Sequence, residues 1–536
     1  MMIDKLEHRD LASVLRKRVN HCPDKPWIVT AENSYSYRQM DQLSGRLAQG
    51  MINQGIKFGD TVLIILPNIE EFILTWCGIS KIGAIEVPVN VHNRGNPLSY
   101  LINDSLARFM IIDVEYLDRI ESIKDSLSNL GTLILYDKNR LFDHPLIAEL
   151  SNSHKVIQFD QLYADEMYSG PAPEYHNLMG VLYTSGTTGP SKGVTMSHAH
   201  AYEYAFGVTE MLELEESDIY CAPLPLFHIA GQFATIYASC IAAATAVISD
   251  TFSAKRFWTD IRHHNVTCTF LLGAMGSFLY RQPVNADDAD NTLDRVLLVP
   301  LIPEVEDFKK RFDCRVSTTW GGTEMNCPTQ SGFELANIKT CGKLVSDRYE
   351  IRIVDEMDIE VPNGTPGEAL VRARTPWILT NGYWNHPEWT TKAWRNLWYH
   401  TGDMLMRDDE GNYYFVDRTK DAIRRRGENI SSMEVENEIN SHPAVLECAV
   451  IPVEASESEQ EVRAIIVLKE GKTLDHEEFI RFIEPRMAYF MVPRYIDLID
   501  ALPKTPTGKI QKFVLKEHDI NDSTWDREAA GIKLTK

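Results

Sequence analysis

Alternation of short apolar runs with helical patterns is the feature that most constrains the fold of this chain. Residues 61–67, TVLIILP, form an apolar run of strand length, the helical pattern NIEEFILTWCGISKIG follows, and AIEVPVN is a second strand-like run. A strand, a crossover helix and a second strand make a βαβ unit with parallel strands and covering helices. The rhythm recurs at RFMIIDVEYLDRIESI and across residues 245–272. The sequence therefore predicts an α/β fold whose large amino-terminal domain is built from βαβ sheets.

The residue pattern of the sequence changes near residue 349. The stretch YEIRIVDEMDIEVPNGTPGEALVRA alternates and turns at Pro-Asn-Gly, which predicts a β-hairpin in a β-rich subdomain. Further on, SSMEVENEINSH and HEEFIRFIEPRM read as helices, while VLECAVIPV and VRAIIVLKE read as strands. A chain of 536 residues is too long for one compact core. We predict an amino-terminal domain at 1–417, a short hinge at 418–420 and a small mobile α+β domain at 421–536.

Composition excludes several classes of function. The net charge of −22 argues against broad binding to nucleic acid or to anionic membranes, which needs basic faces. The nine cysteines are scattered singly with no CxxC pair, which argues against a disulfide framework or a zinc knuckle. The amino terminus has no apolar signal region, and the longest apolar run, residues 237–249, is too short to span a bilayer. We expect a cytoplasmic protein without nucleic-acid or integral membrane partners, and the sequence leaves a homodimer open.

One loop combines small residues, hydroxyls and a single lysine. It reads YTSGTTGPSKGV, residues 183–194, and strand-like runs lead into it and out of it. Glycines let a backbone approach a polyphosphate, hydroxyls donate to it or bind Mg²⁺, and a lysine offsets its charge. The spacing does not match GxxxxGK[ST], so this is not the P-loop of the common nucleotide hydrolases. A plain Ser/Thr/Gly loop is the alternative, and the strand-like flanks favour the phosphate loop.

This loop resembles the phosphate loop of the adenylate-forming superfamily, which includes acyl-CoA synthetases, luciferases and peptide-synthetase adenylation domains. The other motifs of that superfamily follow in the same order, from about residue 10 to residue 515. They include PLFHIAG, WGGTE, YHTGDM, VDRTKDAIRRRGENIS and LPKTPTGKIQK. The segments RRRGENIS and NGYWNHPEWT are most like those of acyl-CoA ligases, and the whole series is most similar to the crotonobetaine/carnitine–CoA ligase group.

The resemblance implies a nucleotide site. The residues that it assigns to ATP are Thr184, Ser185, Gly186, Thr187, Thr188, Lys192, Trp320, Asp403 and Arg418. It implies that Trp320 packs on adenine and that Asp403 accepts both ribose hydroxyls. Thr323 would contact the α-phosphate, Glu324 would hold Mg²⁺, and Thr184 is the second residue assigned to the metal.

The resemblance also implies groups that act from the carboxy-terminal side. Lys509 takes the position of the adenylation lysine, although on its own it would be an ordinary surface lysine in a turn. Lys420 takes the position of the hinge. Rotation about that hinge would bring a basic stretch to the cleft for CoA, namely Arg424, Arg425, Arg426 and Gly427. Glycine would let the pantetheine arm pass close to the backbone, and which arginine meets the CoA phosphates is left open.

The acid pocket is implied less directly. His228, in PLFHIAG, is grouped with the catalytic residues, and the pocket positions are Gln232, Gly273, Ala274, Met275 and Met325. Few of them are charged, which disfavours a dicarboxylate. The sequence departs from the family at residues 297–303, LLVPLIP, where many members have a Gly-Gly-Ala-Pro turn beside the adenine. The backbone there is expected to follow a different path, so the contacts to the adenine edge are left open.

These residue types suit activation of a carboxylate. The carboxylate attacks the α-phosphate of ATP and pyrophosphate leaves, so two anions must meet; Mg²⁺, Lys509 and loop amides would neutralise them. The resemblance implies an ATP-dependent acid–CoA ligase that uses ATP, Mg²⁺ and CoA and acts on a small or medium carboxylic acid, carnitine- and betaine-type acids included. Two alternatives stay open: an adenylate-former that passes the acyl group to a carrier protein, and a nucleotide-binding scaffold that has lost catalysis.

Overall fold

The computed structural model of the protein describes residues 5–140, 142–184, 191–418, 423–425, 428–454, 460–487, 489–504, 508, 510–521 and 523–534. In chain order its strands are β1 (Pro26–Val29), β2 (Ser34–Ser36), β3 (Thr61–Ile65), β4 (Ile85–Pro88), β5 (Phe109–Asp113), β6 (Thr132–Tyr136), β7 (Lys155–Gln158), β8 (Leu178–Thr184), β9 (Lys192–Ser197), β10 (Ile219–Ala222), β11 (Thr245–Ile248), β12 (Cys268–Leu272), β13 (Arg295–Val299), β14 (Arg315–Ser317), β15 (Thr329–Gln330), β16 (Thr340–Leu344), β17 (Tyr349–Val354), β18 (Gly367–Ala373), β19 (Trp394–Arg395), β20 (Trp398–Arg407), β21 (Asn412–Arg418), β22 (Ile423–Arg425), β23 (Glu428–Ile430), β24 (Val445–Glu454), β25 (Gln460–Leu468), β26 (Tyr495–Leu498) and β27 (Trp525–Asp526).

The helices between these strands are α1 (Leu11–His21), α2 (Tyr37–Asn53), α3 (Glu70–Lys81), α4 (Gly95–Asp104), α5 (Leu117–Glu121), α6 (Leu146–Leu150), α7 (His198–Met211), α8 (Ile229–Gly231), α9 (Ala238–Ala242), α10 (Phe257–His264), α11 (Gly273–Tyr280), α12 (Val305–Phe312), α13 (Pro387–Ala393), α14 (Ser432–Asn440), α15 (His476–Ile483) and α16 (Lys512–Lys516). A π-helical segment, Gln232–Tyr237, joins α8 to α9.

The first sheet contains the βαβ unit that the sequence predicts at residues 61–90. Its strand order is β7-β6-β5-β3-β4-β8-β9. Strands β3 and β4 lie side by side and parallel, with α3 as their crossover, as the sequence predicts. Only β8 and β9 pair antiparallel in this sheet, and they flank the predicted phosphate loop. The Ser197 hydroxyl accepts from His200 N and caps α7, so the chain passes directly from β9 into a helix.

A second, mostly parallel sheet has the order β14-β13-β12-β10-β11-β1-β2, and one hydrophobic core joins it to the first sheet. In that core the Trp76 ring, on α3, lies with its centroid 5.8 Å from those of Phe233 and Tyr237 in the π-helical segment. Both sheets and their covering helices therefore form the α/β body that the sequence predicts.

The β-rich subdomain is a third sheet, of order β15-β16-β21-β20-β18-β17, with β19 added on β20. Strands β17 and β18 pair antiparallel from Tyr349↔Ala373 to Val354↔Glu368, which confirms the predicted hairpin. The strands of this sheet carry a separate core that includes Tyr349, Leu405 and Tyr413. Strands β20 and β21 of the same sheet supply two of the predicted site residues.

The small carboxy-terminal domain has a sheet of order β24-β25-β26-β27, with α14 and α15 packed in its core. The two helices and two strands predicted for this part are α14, α15, β24 and β25. At the seam with β21, Ser432 N donates to Asp417 Oδ2 over 2.6 Å and Ser431 Oγ donates to Val416 O over 2.6 Å. The domain division at 417 and the hinge at 418–420 stay predictions, because residues 419–422 lie outside the described residues.

Across the residues that the structure describes, no helix combines the length and the apolar character needed to cross a membrane. All nine cysteines are free thiols, and all of them except Cys22 are buried.

Candidate functional site

The ends of the predicted phosphate loop are held by the β8–β9 pair. Thr184 is the last residue of β8 and Lys192 the first of β9, and the two are register partners. Thr184 Oγ1 donates to the Lys192 carbonyl over 3.4 Å. The predicted contacts Ser185, Gly186, Thr187 and Thr188 lie outside the described residues, so their roles stay predictions. The strand pair thus fixes where the loop leaves the sheet and where it returns.

The Lys192 ammonium lies against two aromatic rings. Its Nζ is 4.9 Å from the ring centroid of Tyr383 and 5.7 Å from that of Trp389. At these distances the ring faces attract the cation. Trp384 N donates to the Gly193 carbonyl over 2.8 Å, which ties the loop exit to the segment that carries both rings.

A tight loop carries Thr323 and Glu324. Gly322 N donates to the Asn326 carbonyl over 2.9 Å, and Asn326 N donates back to Gly322 O over 3.0 Å. A Cβ at Gly321 would lie 2.0 Å from the Asn326 carbonyl oxygen, so only glycine fits there. The glycines of WGGTE therefore close the loop on itself and fix the direction in which Glu324 projects.

The Glu324 carboxylate is oriented by a phenol. Tyr383 donates its hydroxyl to Glu324 Oε1 over 3.1 Å, and Thr380 N donates to the Glu324 carbonyl over 2.9 Å. The Tyr383 hydroxyl also lies 3.4 Å from that of Tyr399. Burial, together with the Glu324 charge, raises the pKa of Tyr383 above its usual value, so the phenol is a protonated donor across the neutral range. One carboxylate oxygen of Glu324 is therefore held while further acceptor capacity remains.

Trp320, Asp403 and Arg418 meet at the other end of the same loop. Trp320 Nε1 donates to Asp403 Oδ2 over 2.9 Å, and Arg418 Nε lies 3.0 Å from Asp403 Oδ1. Asp403 and Arg418 are register partners on β20 and β21. The Asp403 side chain is 7% exposed and the Arg418 side chain 48%. A buried carboxylate needs such donors, and here the arginine side chain remains about half exposed.

A glutamate that the sequence analysis missed fixes the turn before Asp403. Glu368 accepts Gly402 N at Oε1 over 3.1 Å, and its Oε2 lies 3.0 Å from His400 Nδ1. Gly402 has φ +70°, a conformation that favours glycine. The Thr401 hydroxyl then accepts Asp403 N over 3.1 Å. Glu368 could not be found from local sequence, because it lies on β18, far from Asp403 along the chain.

The pocket assignment of Gln232 is wrong. Its side chain is 0% exposed, and Nε2 donates to both carboxylate oxygens of Glu86, over 2.9 and 2.8 Å. Burial raises the pKa of Glu86 to about 8, and the Gln232 hydrogen bond opposes this rise. Gln232 therefore belongs to the interior beneath β4 and does not line a pocket.

His228 lies at the start of α8 and Gly273, Ala274 and Met275 at the start of α11, whereas Met325 packs in the core of the third sheet. His228 Nδ1 accepts Ala230 N over 3.3 Å and caps α8. A Cβ at Gly273 would lie 2.9 Å from the Pro300 carbonyl oxygen, so the divergent segment packs directly on the start of α11. Ala274 is exposed, while Met275 and Met325 are buried. Contact of these side chains with an acid stays a prediction.

The assignment of Arg425 to CoA is wrong. Its side chain is 4% exposed, Nη2 lies 2.7 Å from Glu461 Oε2, and Nη1 donates to the Phe490 carbonyl over 2.7 Å. This guanidinium is enclosed within the carboxy-terminal domain and does not face a ligand. The Arg424 side chain and the residues Arg426, Gly427, Lys420 and Lys509 lie outside the described residues, so their assignments stay predictions.

The aromatic residues that contact Lys192 and Glu324 were also missed as site residues. Tyr383 and Trp389 both belong to NGYWNHPEWT, residues 381–390, which the sequence analysis used only to choose among family branches. The signal was present as closely spaced aromatics after a glycine. Nothing in the sequence indicated which charged groups those rings would contact.

Comparison with known families accounts for most of the chain. The family model described as AMP-binding enzyme matches residues 15–384, and that of the AMP-binding enzyme C-terminal domain matches residues 434–509. A crotonobetaine/carnitine–CoA ligase of Escherichia coli is 31% identical over 531 residues, covering 95% of this chain and 97% of that protein. The protein of the same description from Citrobacter koseri is 31% identical and covers 90% and 93%.

Solved structures share the fold. The anthranilate CoA ligase AuaEII, in complex with anthranoyl-AMP, superimposes with a TM-score of 0.84 at 24% identity, covering 96% of this chain and 98% of that one. ATP-bound MatB from Rhodopseudomonas palustris gives a TM-score of 0.82 at 23% identity, covering 94% and 98%. These likenesses extend over both the α/β body and the carboxy-terminal domain.

Proposed function

Because the chain belongs to the family of AMP-binding enzymes, we propose that its cleft joins a carboxylic acid to ATP and then passes the acyl group to coenzyme A. AMP-forming acid–CoA ligation is the class of its curated relatives, and the chain is an enzyme of that class. We propose that the residues of this chain perform the reaction in two steps.

One observation carries the proposal: a single short loop, residues 320–324, contacts two different clusters. At one end Trp320 donates to Asp403, which pairs with Arg418. At the other end Glu324 accepts from Tyr383, whose ring lies against Lys192. We place the ribose at the Asp403 end, where a carboxylate accepts hydroxyls, and the phosphates toward Lys192. The α-phosphate then lies near Thr323, between the two clusters.

In the first half-reaction the acid's carboxylate attacks the α-phosphorus. A new P–O bond forms, the bond to the bridging oxygen breaks, and pyrophosphate leaves with both electrons. Acid–base chemistry is not required; the task is to hold two anions together. Lys192 and the loop amides would bind the β- and γ-phosphates, and Lys509 would bridge the carboxylate and the α-phosphate.

The residues present fit a magnesium ion. Oxygen ligands suit Mg²⁺, which usually takes one or two carboxylates together with substrate phosphates. Glu324 uses Oε1 for the Tyr383 hydroxyl and keeps acceptor capacity for a metal, with Thr184 as a second oxygen. Bound there, the ion would neutralise charge as it develops on the phosphates.

In the second half-reaction the CoA thiolate attacks the acyl carbon, the thioester forms and AMP leaves. Lys509 must withdraw to make room, so we propose a rotation of the carboxy-terminal domain about Lys420. Since Arg425 is enclosed by Glu461, the CoA phosphates fall to Arg424 or Arg426. Gly427 would let the pantetheine arm pass beside the backbone.

We propose a small or medium carboxylic acid as the substrate, with carnitine- and betaine-type acids included because of the curated relatives. The candidate wall at Gly273, Ala274, Met275 and Met325 is uncharged, which suits an acid without a second carboxylate. Phe233 does not offer an aromatic face for a quaternary ammonium, because it is 0% exposed and packs on Trp76.

The test is chromatographic detection of AMP and acyl-CoA from purified protein with ATP, Mg²⁺, CoA and a panel of betaine, short-chain, aromatic and long-chain acids. Equal amounts of AMP and thioester with one acid class support the proposal and show which class of acid the pocket accepts. Acyl-AMP that accumulates without thioester would favour a carrier protein as the acceptor. ATP binding without pyrophosphate release, whatever the acid, would favour the inactive scaffold.

A further inference from the structure

We propose that Tyr383 is a positioning residue that keeps Lys192 and Glu324 apart, so that each stays available to the nucleotide side of the cleft. The inference rests on the proposed function, because it takes Lys192 as a phosphate group and Glu324 as a metal group. It is carried by contacts of one side chain with both.

The hydroxyl end of Tyr383 contacts the negative group. Its Oη donates to Glu324 Oε1 over 3.1 Å, and the side chain is only 9% exposed, so water competes little for this bond. A hydrogen bond to a charged acceptor is among the strong ones and fixes the acceptor's orientation. Tyr383 thus sets which face of the Glu324 carboxylate points away from the protein.

The ring of Tyr383 contacts the positive group. Lys192 Nζ lies 4.9 Å from the Tyr383 centroid, with Trp389 as the second ring at 5.7 Å. Two aromatic faces stabilise the ammonium without neutralising it and without using its hydrogen-bond donors. These two ring contacts therefore leave the ammonium donors available to an anion that enters the cleft.

Tyr383 is itself held in place by the strand that carries Lys192. Val194 and Tyr383 form an antiparallel bridge, and Thr195 N donates to the Gly382 carbonyl over 3.1 Å. Tyr383 N donates to Thr390 Oγ1 over 2.9 Å. Gly382 has φ +130°, and a Cβ there would lie 2.4 Å from Thr390 Cγ2. The ring position follows from backbone contacts and not from the two charges alone.

The consequence is electrostatic. An ammonium and a carboxylate on neighbouring segments attract each other, and a direct ion pair would occupy the donors of one and the lone pairs of the other. Within the described part of the chain, Lys192 and Glu324 both bind Tyr383 and form no ion pair with each other. A neutral side chain with a polar end and an aromatic face binds both without cancelling either.

Two substitutions separate the two contacts. Tyr383→Phe removes the hydroxyl and keeps the ring, whereas Tyr383→Leu removes both. The readout is the dissociation constant of ATP, measured by titration calorimetry across a series of Mg²⁺ concentrations with acid and CoA omitted. For Y383F we expect the Mg²⁺ concentration at half effect to rise about tenfold, with ATP affinity at saturating Mg²⁺ almost unchanged.

For Y383L we expect the Mg²⁺ concentration at half effect to rise further, about 100-fold over wild type, and ATP affinity at saturating Mg²⁺ to fall about tenfold, because Lys192 now pairs with Glu324. Adding Lys192→Met to Y383L should then return the Mg²⁺ requirement toward that of Y383F. Merely loosened packing would not produce this recovery. An unchanged Mg²⁺ requirement in Y383F would overturn the inference, as would a Y383L protein indistinguishable from Y383F.

The matched control is Tyr35→Phe, since Tyr35 donates to Glu70 Oε1 over 3.3 Å at the edge of the second sheet, away from the cleft. Its Mg²⁺ requirement should equal that of the wild type, and thermal melting checks that every variant is folded. If Y383L does not fold, Y383F decides alone. Wild-type protein is assayed for thioester in parallel. If it forms thioester and the Mg²⁺ requirement of Y383F is unaltered, only this inference is contradicted. If it forms no thioester but binds ATP in a Mg²⁺-dependent way, only the proposed function is contradicted.

Discussion

Two arginine–carboxylate pairs show how differently the same chemistry is used in the two parts of this molecule. In the carboxy-terminal domain the Arg425 and Glu461 side chains are 4% and 2% exposed. In the cleft Asp403 is 7% exposed while Arg418 is 48% exposed. The first pair is closed on both sides. In the second pair only the carboxylate is buried. Its arginine is half exposed, so it can move or meet a ligand without leaving a buried cation unpaired.

Exposure distinguishes the two arginines although they share a motif: the Arg418 side chain is open to solvent, and that of Arg425 is enclosed. Arg418 and Arg425 stand in one stretch of sequence, VDRTKDAIRRRGENIS, and both were assigned to ligands there. A buried ion pair compensates a large desolvation cost only while both partners remain. A half-exposed pair has a smaller cost and can exchange partners.

The largest effect is expected at the closed pair. Arg425→Met leaves the Glu461 charge buried beside an apolar side chain, so the free energy of unfolding of the carboxy-terminal domain should fall by about 3–5 kcal/mol. Urea denaturation followed by hydrogen exchange at β24 and β25 measures it. The double variant R425M/E461L should recover most of the loss. A fall of the free energy of unfolding by less than about 1 kcal/mol would contradict the structural role. A loss of ATP affinity in a variant of unchanged stability would contradict it as well.

The open pair should respond in activity rather than in stability. Asp403→Asn keeps an acceptor for Trp320 Nε1 but removes the charge that faces Arg418, and kcat/KM for ATP should fall about 100-fold because the nucleotide is misplaced. Acid-dependent pyrophosphate release measures the effect, with the melting temperature as the control. Comparison with 2′-deoxyATP sharpens it: if Asp403 binds the ribose hydroxyls, D403N should lose less on the deoxy substrate. Equal losses on both nucleotides would contradict the ribose assignment.

A smaller effect is expected one step behind the open pair. Glu368→Ala removes the acceptor for Gly402 N, and the turn that aims Asp403 should loosen. We expect KM for ATP to rise about tenfold with kcat little changed, from the loss of one charged hydrogen bond. Glu368→Gln keeps an acceptor and should be milder. An equal rise of KM for the acid would indicate a general disturbance and contradict this positioning role.

A pH-dependent effect is expected at Glu86, a buried carboxylate for which the described residues supply no cation. Its pKa of about 8 lies above the ordinary value of 4.5, so between these pH values the folded protein holds a proton that the unfolded chain releases. Stability that Glu86 provides at low pH is therefore lost as pH rises through this window. Glu86→Gln removes the titration and offers a donor to Gln232 Oε1, for which the described residues provide none. Relative to wild type, E86Q should gain stability steadily between pH 5 and pH 8.

Thermal melting at a series of pH values measures the Glu86 effect. A difference between E86Q and wild type that does not change with pH would show that Glu86 is ionised in the fold. Gln232→Leu is the companion variant. It removes the hydrogen bonds to Glu86 and should destabilise most at high pH, where the carboxylate needs them.

The parts of the fold that were predictable are those set by local periodicity. The β3–α3–β4 unit follows from an apolar run, a helical pattern and a second run, and the β17–β18 hairpin follows from alternation around Pro-Asn-Gly. The meeting of Trp320 with Asp403 and Arg418 could be expected only through the resemblance, because Trp320 lies 83 residues before Asp403 along the chain.

The errors arise where a partner lies far along the chain. Arg425 has a buried glutamate opposite it on β25, and no feature of RRRGENIS indicates that partner. Gln232 follows a pocket motif, but the π-helical turn directs its amide into the interior toward Glu86 on β4. In both cases a polar side chain satisfies a buried carboxyl group, which depends on tertiary packing rather than on neighbouring sequence.

The end of β21 brings two adjacent residues into contact with different parts of the protein. Asp417 accepts the backbone amide of Ser432 at the start of α14, while Arg418 reaches Asp403 in the cleft. Neighbouring residues of a strand point to opposite faces, so one short length of backbone is shared between the domain seam and the nucleotide end of the cleft. Coupling between two binding events is reciprocal. If a ligand that shifts β21 alters the docking of α14, docking of α14 must alter the affinity for that ligand by the same factor. Two adjacent residues of one strand would then couple the domain seam to the cleft.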